Sequence, residues 1–560
     1  MSLTRHMVTI VGQHGTRQVH YRRQGDGPAV LLLHQSPQSS REFEPLIAKW
    51  SDNFTVIAPD TPGYGLSDPL PARDATMEDL AASVMEFADA IGLGRFGIYG
   101  YHTGGGMAVA LAHAYPDRIT TAAANGLVMP TADELAAILA NYLPPFEPDW
   151  AGGHLAWLWA RLREQTIFFP WHDRRLSTRM DFSVPAADGL QRNVREFLLA
   201  AEHYAVAYRA AFAYAAGPVL PQLEVPTLVT AAALDPLAPH LDRIGDRADC
   251  VKIEVSSDGP DTIDKAFAQL LSLPGDPAPP APAAQPCGDG PWQDMLNAGD
   301  SPVRLVRQGS DIEVLALHDA GGSALTMPAA IFAMGNVAAM DLPGHGESAP
   351  YIPSDEPQIS IAACAEAAVG AATALETRPL LAGDGTGALI ALEAARQAPH
   401  RFRGLLLTNV PALDPALAAD WLANGLPSLA ADWHGGHLSR AWHMVRDGRL
   451  FFPWFRRDRD AIRWVEPDLD PHRLQLEVRE LLVAEGYWQA LRRMQLQTDV
   501  AALLGDCPLP AVLAATASHP LHDPVKATAE RQGRHFLSLQ GIPGDQATAL
   551  REAVSRALES

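Results

Sequence analysis

A histidine set between glycines is the residue of this sequence best placed to do chemistry near neutral pH. His102 stands in Gly100-Tyr101-His102-Thr103-Gly104, between an apolar run, Phe96 to Tyr99, and a small-residue stretch, Gly104 to Ala114. An imidazole titrates at about 6.5 when unperturbed, so it can take or give a proton in neutral water. In a strand-to-helix turn it can serve as a general acid or base, or as a nucleophile that forms a labile acyl-imidazole. The helix N-terminus opposes its charged form. Later in the chain a matching turn, Gly383-Asp384-Gly385-Thr386-Gly387, has no side chain in the central place. Other chemistry is thinly represented. Cys250, Cys287, Cys364 and Cys507 are far apart with no CxxC pair, which argues against a zinc site or a disulfide framework. No Walker, Rossmann or metal-ligand motif occurs, so neither metal nor cofactor is expected.

The elements that must position these residues come in two sets. The segment Asp149 to Trp171 (DWAGGHLAWLWARLREQTIFFPW) recurs as Asp432 to Trp454 (DWHGGHLSRAWHMVRDGRLFFPW), 283 positions later. The turns at His34 and His318 are offset by 284, those at Gly63 and Gly344 by 281, and those at Gly100 and Gly383 by 283. A nearly constant shift means that a whole domain was duplicated. The Pro/Ala-rich stretch 275–291 between the copies reads as an extended linker, giving domains 1–274 and 292–560.

Within the first copy, Ala29 to Leu33, Thr55 to Ala58, Phe96 to Tyr99, Ile119 to Ala124 and Pro226 to Ala231 read as short buried strands. Helical spacing over Met77 to Ala90 and Gly104 to Ala114 alternates with them. The second copy repeats the order with Val314 to Leu317, Val337 to Met340, Leu380 to Ala382, Gly404 to Thr408 and Ala511 to Ala515. Alternation of this kind predicts an α/β fold with two doubly wound, mostly parallel sheets. A Trp-rich helical insert interrupts each copy, at about 130–216 and 411–500, as a cap would.

Composition narrows the partners. Lys plus Arg number 43 against 65 Asp plus Glu, a formal charge of -22 that repels nucleic acid and anionic lipid. No apolar run is long enough for a membrane helix, and the N-terminal residues lack a secretory signal's apolar core. A cytoplasmic protein acting on a small molecule is expected; the sequence leaves room for a homo-oligomer.

Both copies resemble the α/β-hydrolase superfamily over nearly their whole length. The resemblance rests on His34-Gln35-Ser36-Pro37 and His318-Asp319-Ala320-Gly321-Gly322 after the first core strand, on the DxPGxGxS turns Asp60 to Ser67 and Asp341 to Ser348, and on the glycine turns at 100 and 383. In that superfamily the last of these is a nucleophile elbow, G-x-S-x-G. Here an imidazole replaces the nucleophile in one copy and hydrogen in the other. The resemblance puts Asp235, in Ala233-Leu234-Asp235-Pro236-Leu237, in the place of the triad acid, and His519 there in the second copy. Neither copy keeps the general-base histidine after the last strand.

With the intervening imidazole deleted, His102 and Asp235 are expected to meet directly as a catalytic dyad. By the same resemblance, His34, Gln35, Ser36, Tyr101 and Thr103 surround an oxyanion and substrate site. Trp150, Trp171 and His154 of the cap are expected above His102. Three readings stay open. The first is an enzyme acting on an ester, thioester, lactone or diketone through the first domain alone. The second is a catalytically dead ligand-binding or scaffold protein. The third is a lyase-like or cofactor-free oxygenase-like enzyme. Packing is the better account of the repeated cap segment, because it explains retention in both copies, including the one that lacks an elbow side chain.

Overall fold

Short runs of branched and small apolar residues build both sheets. The computed structural model describes residues 2–297, 302–348 and 358–559. The first sheet holds β1 (Thr4–Gly12), β2 (Gly15–Gln24), β3 (Ala29–Leu33), β4 (Thr55–Pro59), β5 (Phe96–Tyr101), β6 (Ile119–Asn125), β7 (Thr227–Ala232) and β8 (Val251–Ser256), in the order β1-β2-β4-β3-β5-β6-β7-β8. From β4 to β8 neighbouring strands run parallel, while β1 and β2 form an antiparallel hairpin that pairs through β2 with β4. Every residue of β3, β4 and β6 is buried, the pattern of a sheet covered by helices on both faces.

The second sheet repeats this arrangement with β9 (Trp292–Leu296), β10 (Val303–Gln308), β11 (Val314–Leu317), β12 (Val337–Met340), β13 (Leu380–Asp384), β14 (Gly404–Thr408), β15 (Ala511–Thr516) and β16 (His535–Leu539). Its order, β9-β10-β12-β11-β13-β14-β15-β16, is the first order shifted by eight. Two doubly wound α/β units of one topology therefore occur in the chain.

The hairpin β1–β2 is absent from the sequence expectation, because its strands carry charged residues where a core strand would be apolar. Arg17 and Arg22 are buried there and meet Glu86 at 2.7 Å and Glu44 at 2.9 Å. Burial of a charge requires such a partner, and the partners lie too far off in sequence to be read from the strand itself.

Contacts divide the chain into Met1–Glu147 with Trp157–Cys287, and Pro148–Ala156 with Gly288–Ser560. The Pro/Ala stretch is not a free tether. Asp276 accepts from Ala29 N–H at 2.9 Å and donates its own N–H to Arg95 O at 2.7 Å, and Gln285 O accepts from Thr9 Oγ1 at 2.6 Å.

Helices Ala132–Asn141, Gly153–Gln165, Ala187–Ala200 and Tyr204–Ala213 lie between β6 and β7 in sequence. Pro415–Asn424, Gly436–Leu450, Pro471–Val483 and Tyr487–Gln497 correspond to them between β14 and β15. The repeated segment starts the second helix of each set. Asp149 accepts from the N–H of Ala151 at 2.8 Å and His154 at 2.7 Å; Asp432 accepts from His434 at 2.9 Å and His437 at 3.0 Å. These bonds satisfy donors that a helix start leaves open. Among the described residues no helix is long and apolar enough to cross a membrane, and no three His, Cys, Asp or Glu side chains group to hold a metal ion.

Candidate active site

Strand β5 delivers the chain to a sharp turn at His102, whose φ is 48° and ψ -106°, and the helix Thr103–Ala114 begins at once. Two glycines make this turn sterically open. A Cβ on Gly100 would lie 1.9 Å from Gly104 O, and one on Gly104 would lie 1.8 Å from Leu33 O. His102 itself is not a glycine, and a side chain in such a conformation costs about 1–3 kcal/mol that the surroundings must offset. Part of that offset is visible: His102 N–H donates to Asn125 O at 2.7 Å, and its carbonyl accepts from Gly106 N–H at 3.1 Å.

The imidazole meets a carboxylate. Nε2 of His102 lies 2.9 Å from Oδ2 of Asp235, in the turn after β7, while Asp235 Oδ1 accepts from Leu237 N–H at 2.8 Å. Burial works to raise the Asp235 pKa. The charge and hydrogen bond of His102, with the Leu237 N–H, outweigh it and hold the carboxyl below its usual range. An ionised Asp235 makes Nε2 the protonated nitrogen, leaving the lone pair on Nδ1. The His102 side chain is 22% exposed and Asp235 8%, so the ring is reachable while the acid is shielded. The Tyr101 ring lies 4.1 Å from the imidazole, centroid to centroid.

A cavity of about 470 Å³ opens on this pair. Its floor includes Gln35, Ser36, Tyr101, His102, Thr103 and Asp235; Tyr142, Phe169, Tyr208, Phe212 and Leu234 supply much of the wall, and no lysine or arginine lines it. Thr103 N–H, at the start of its helix, has no protein acceptor among the described residues, and Thr103 Oγ1 lies 3.0 Å from Ser36 Oγ. Gln35 is anchored from behind: its N–H and its Nε2 each donate to Glu42 at 2.9 Å. Burial pushes Glu42 up to about 8.

Four other sequence candidates lie elsewhere. His34 accepts from Thr61 N–H through Nε2 at 2.8 Å and donates through Nδ1 to Gln35 O at 2.8 Å. It ties two turns together beneath the site, and burial keeps it neutral by lowering its pKa. His154 is buried, accepts from Asp149 N–H at 3.1 Å, and does not line the cavity. Trp150 is 72% exposed and is also absent from the lining. Trp171, expected with them above His102, does not line the cavity either and donates its indole N–H to Tyr142 O at 3.1 Å. The lining residues Tyr142, Gln165 and Tyr208 come from insert helices and the loops flanking them, which carry no motif; only the position of the insert signals them.

In the second unit the turn keeps its shape with different contents. Gly385 has φ 55° and ψ -116°, and a Cβ there would fall 2.4 Å from Oδ1 of Asp319. That carboxylate fills the elbow. It accepts from Thr386 N–H at 2.8 Å and Thr386 Oγ1 at 2.9 Å, and Arg492 holds its other oxygen at 2.7 Å. Thr386 N–H, the counterpart of Thr103 N–H, therefore has a resident anion.

Residues 28–248 match the family model described as alpha/beta hydrolase fold. Haloalkane dehalogenase 2 of Mycobacterium tuberculosis is 33% identical over 102 residues, 18% of this chain and 36% of the relative. The 2-(acetamidomethylene)succinate hydrolase of Mesorhizobium japonicum is 33% identical over 110 residues, 20% of this chain and 39% of the relative. The chain thus spans only about a third of the length of the curated relatives it matches. Among solved structures, the enol-lactonase from Burkholderia xenovorans is similar with a TM-score of 0.33 and 18% identity, over 46% of this chain and 96% of that one.

Proposed function

Starting from a chain that belongs to the α/β-hydrolase fold family and carries its fold twice, we propose that the first domain hydrolyses a small, neutral, largely apolar carbonyl compound. An ester, thioester, lactone or diketone fits a cavity walled by aromatic side chains and lined by no cation. The helical insert serves as its cap. One relative named for a hydrolytic reaction on an amide-bearing diacid agrees with carbonyl chemistry. His102 Nδ1 takes a proton from water as the water oxygen bonds to the carbonyl carbon. The oxyanion that forms meets Thr103 N–H at the helix N-terminus. When the tetrahedral adduct collapses, the bond to the leaving group breaks and Nδ1–H returns the proton to it. Asp235 fixes the tautomer and stabilises the transient imidazolium. The second domain takes no part in the chemistry.

The observation that carries this reading is a non-glycine residue held in a strained turn, bonded to a shielded carboxylate and open to a cavity. The scaffold reading gives no reason to keep that strain, which a glycine relieves at the same position of the other domain. The test is turnover by the full chain of a panel of thioesters, lactones, aryl esters and β-diketones in H₂¹⁸O. One solvent oxygen in the product acid is expected, with p-nitrophenyl acetate a poor substrate. A product without solvent oxygen moves the reading to lyase chemistry. Brisk p-nitrophenyl acetate turnover that survives His102→Ala places the chemistry on a group other than His102.

A further inference from the structure

The second domain has a cavity of its own, about 550 Å³, above the turn that Asp319 fills. Its chemistry is the reverse of the first. Four arginines line it, Arg449, Arg463, Arg473 and Arg492, against three carboxylates, Asp319, Asp384 and Glu477. Three of the cations are matched. Arg492 pairs with Asp319 at 2.7 Å, Arg473 lies 3.4 Å from Glu477, and Arg449 also pairs with Glu477. Arg463 has no carboxylate within ion-pair reach among the described residues. One nitrogen, Nη1, donates to Gly448 O at 2.8 Å, and its buried Nε has no acceptor.

Other donors of the lining residues are sealed behind its surface. The indole N–H groups of Trp421, Trp454 and Trp488 are buried without acceptors, and so is Arg449 Nε. Trp488 is only 3% exposed. His519, in the lining where the first domain has Asp235, accepts from Leu521 N–H through Nδ1 at 3.2 Å, so its Nε2 carries a proton. One uncompensated guanidinium in this lining lacks a counter-ion of single negative charge. The indoles add flat apolar surface.

We propose that the second domain is a binding site for a small organic monocarboxylate with an aromatic or similarly flat apolar body. Arg463 carries the recognition of its carboxylate, His519 Nε2–H of the same lining assists, and Trp421, Trp454 and Trp488 enclose the body. A guanidinium presents a planar fork of donors that matches a carboxylate, and one unmatched positive charge suits a monoanion better than a phosphate dianion. The ligand is bound and not transformed, since the elbow below it holds Asp319 in place of a reactive side chain. This inference stands apart from the chemistry of the first domain.

The experiment is calorimetric titration of the full chain with phenylacetate, with phenylacetamide as its neutral partner and inorganic phosphate as a competing anion. Phenylacetate is expected to bind at least tenfold more tightly than either. Arg463→Gln is expected to weaken phenylacetate at least tenfold, with partial recovery in Arg463→Lys. Arg118→Gln, which removes a positive charge from the first domain's surface, is expected to leave affinity within twofold. Equal binding of acid and amide overturns the proposal, as does tighter binding of phosphate, unchanged affinity in Arg463→Gln, or no heat with phenylacetate at millimolar concentration. If Arg463→Gln does not fold by circular dichroism, the acid-to-amide ratio on the unaltered chain decides.

Discussion

The two elbow turns have nearly the same backbone, φ 48° and ψ -106° at His102 against φ 55° and ψ -116° at Gly385, yet opposite contents. Above His102 the helix N–H is open and the ring reaches Asp235 at 2.9 Å. Above Gly385 a carboxylate occupies the helix N–H and leaves no room for a side chain. A turn of this kind is thus a property of the fold, secured by glycines and by the helix that must pack on the strand. In the proposed function, chemistry depends on a single side chain and on whether its surroundings leave the helix N–H open. The cavities follow suit, one without a cation in its lining and one with four arginines.

The sharpest way to break this contrast is at Asp235. Asp235→Asn keeps the shape but offers His102 an amide, which can hold the wrong tautomer. Turnover of a substrate found by the panel is expected to fall by about 10²–10⁴ in kcat/KM. A change below tenfold contradicts the orienting role.

A smaller effect is expected at the other elbow. Gly385→Ala puts a Cβ into positive φ and 2.4 Å from Asp319, and we expect a loss of about 2–4 kcal/mol in denaturant unfolding. In the background of Asp319→Gly, where the obstructing carboxylate is gone, the same substitution should cost about half as much. Additive costs would show that Asp319 is not what fills the turn.

The smallest effect concerns pH. Burial, with the nearby Asp319 charge, raises Asp384 from 3.8 to about 6. Between those values the folded chain holds a proton that the unfolded chain has lost, so this group lowers stability as pH rises through the window. Asp384→Asn removes the penalty. It should stabilise the chain by about 1–3 kcal/mol at pH 7.5 and by little at pH 4. An equal effect at both pH values contradicts the assignment.

Much of the frame was legible because the central strands are short, wholly buried apolar runs separated by helical spacing. Val314–Leu317, Val337–Met340 and Gly404–Thr408 lie where periodicity puts them. The hairpins at the sheet edges were hidden by buried arginines whose partners come from distant segments. At the site, the glycines announced the turn and the order of motifs pointed to Asp235, but two features needed coordinates. Asp319 reads as an ordinary turn residue after a strand, and only the fold brings its carboxylate to Thr386 N–H, 67 positions away. His154 attracts attention because its segment is repeated. The repetition belongs to an aspartate that starts a helix in each copy, and a structural role preserves sequence as firmly as a catalytic one.

The central claim is that chemistry resides in the first domain and runs through His102. Its most direct test is kcat/KM of the full chain on the best carbonyl substrate of the panel, measured for the unaltered protein and for His102→Ala with an unchanged melting profile. A fall of at least 10³ is expected, because the substitution removes the imidazole that carries the acid–base role. Turnover that persists within tenfold in His102→Ala, or no turnover of any carbonyl compound by the unaltered chain, contradicts the account.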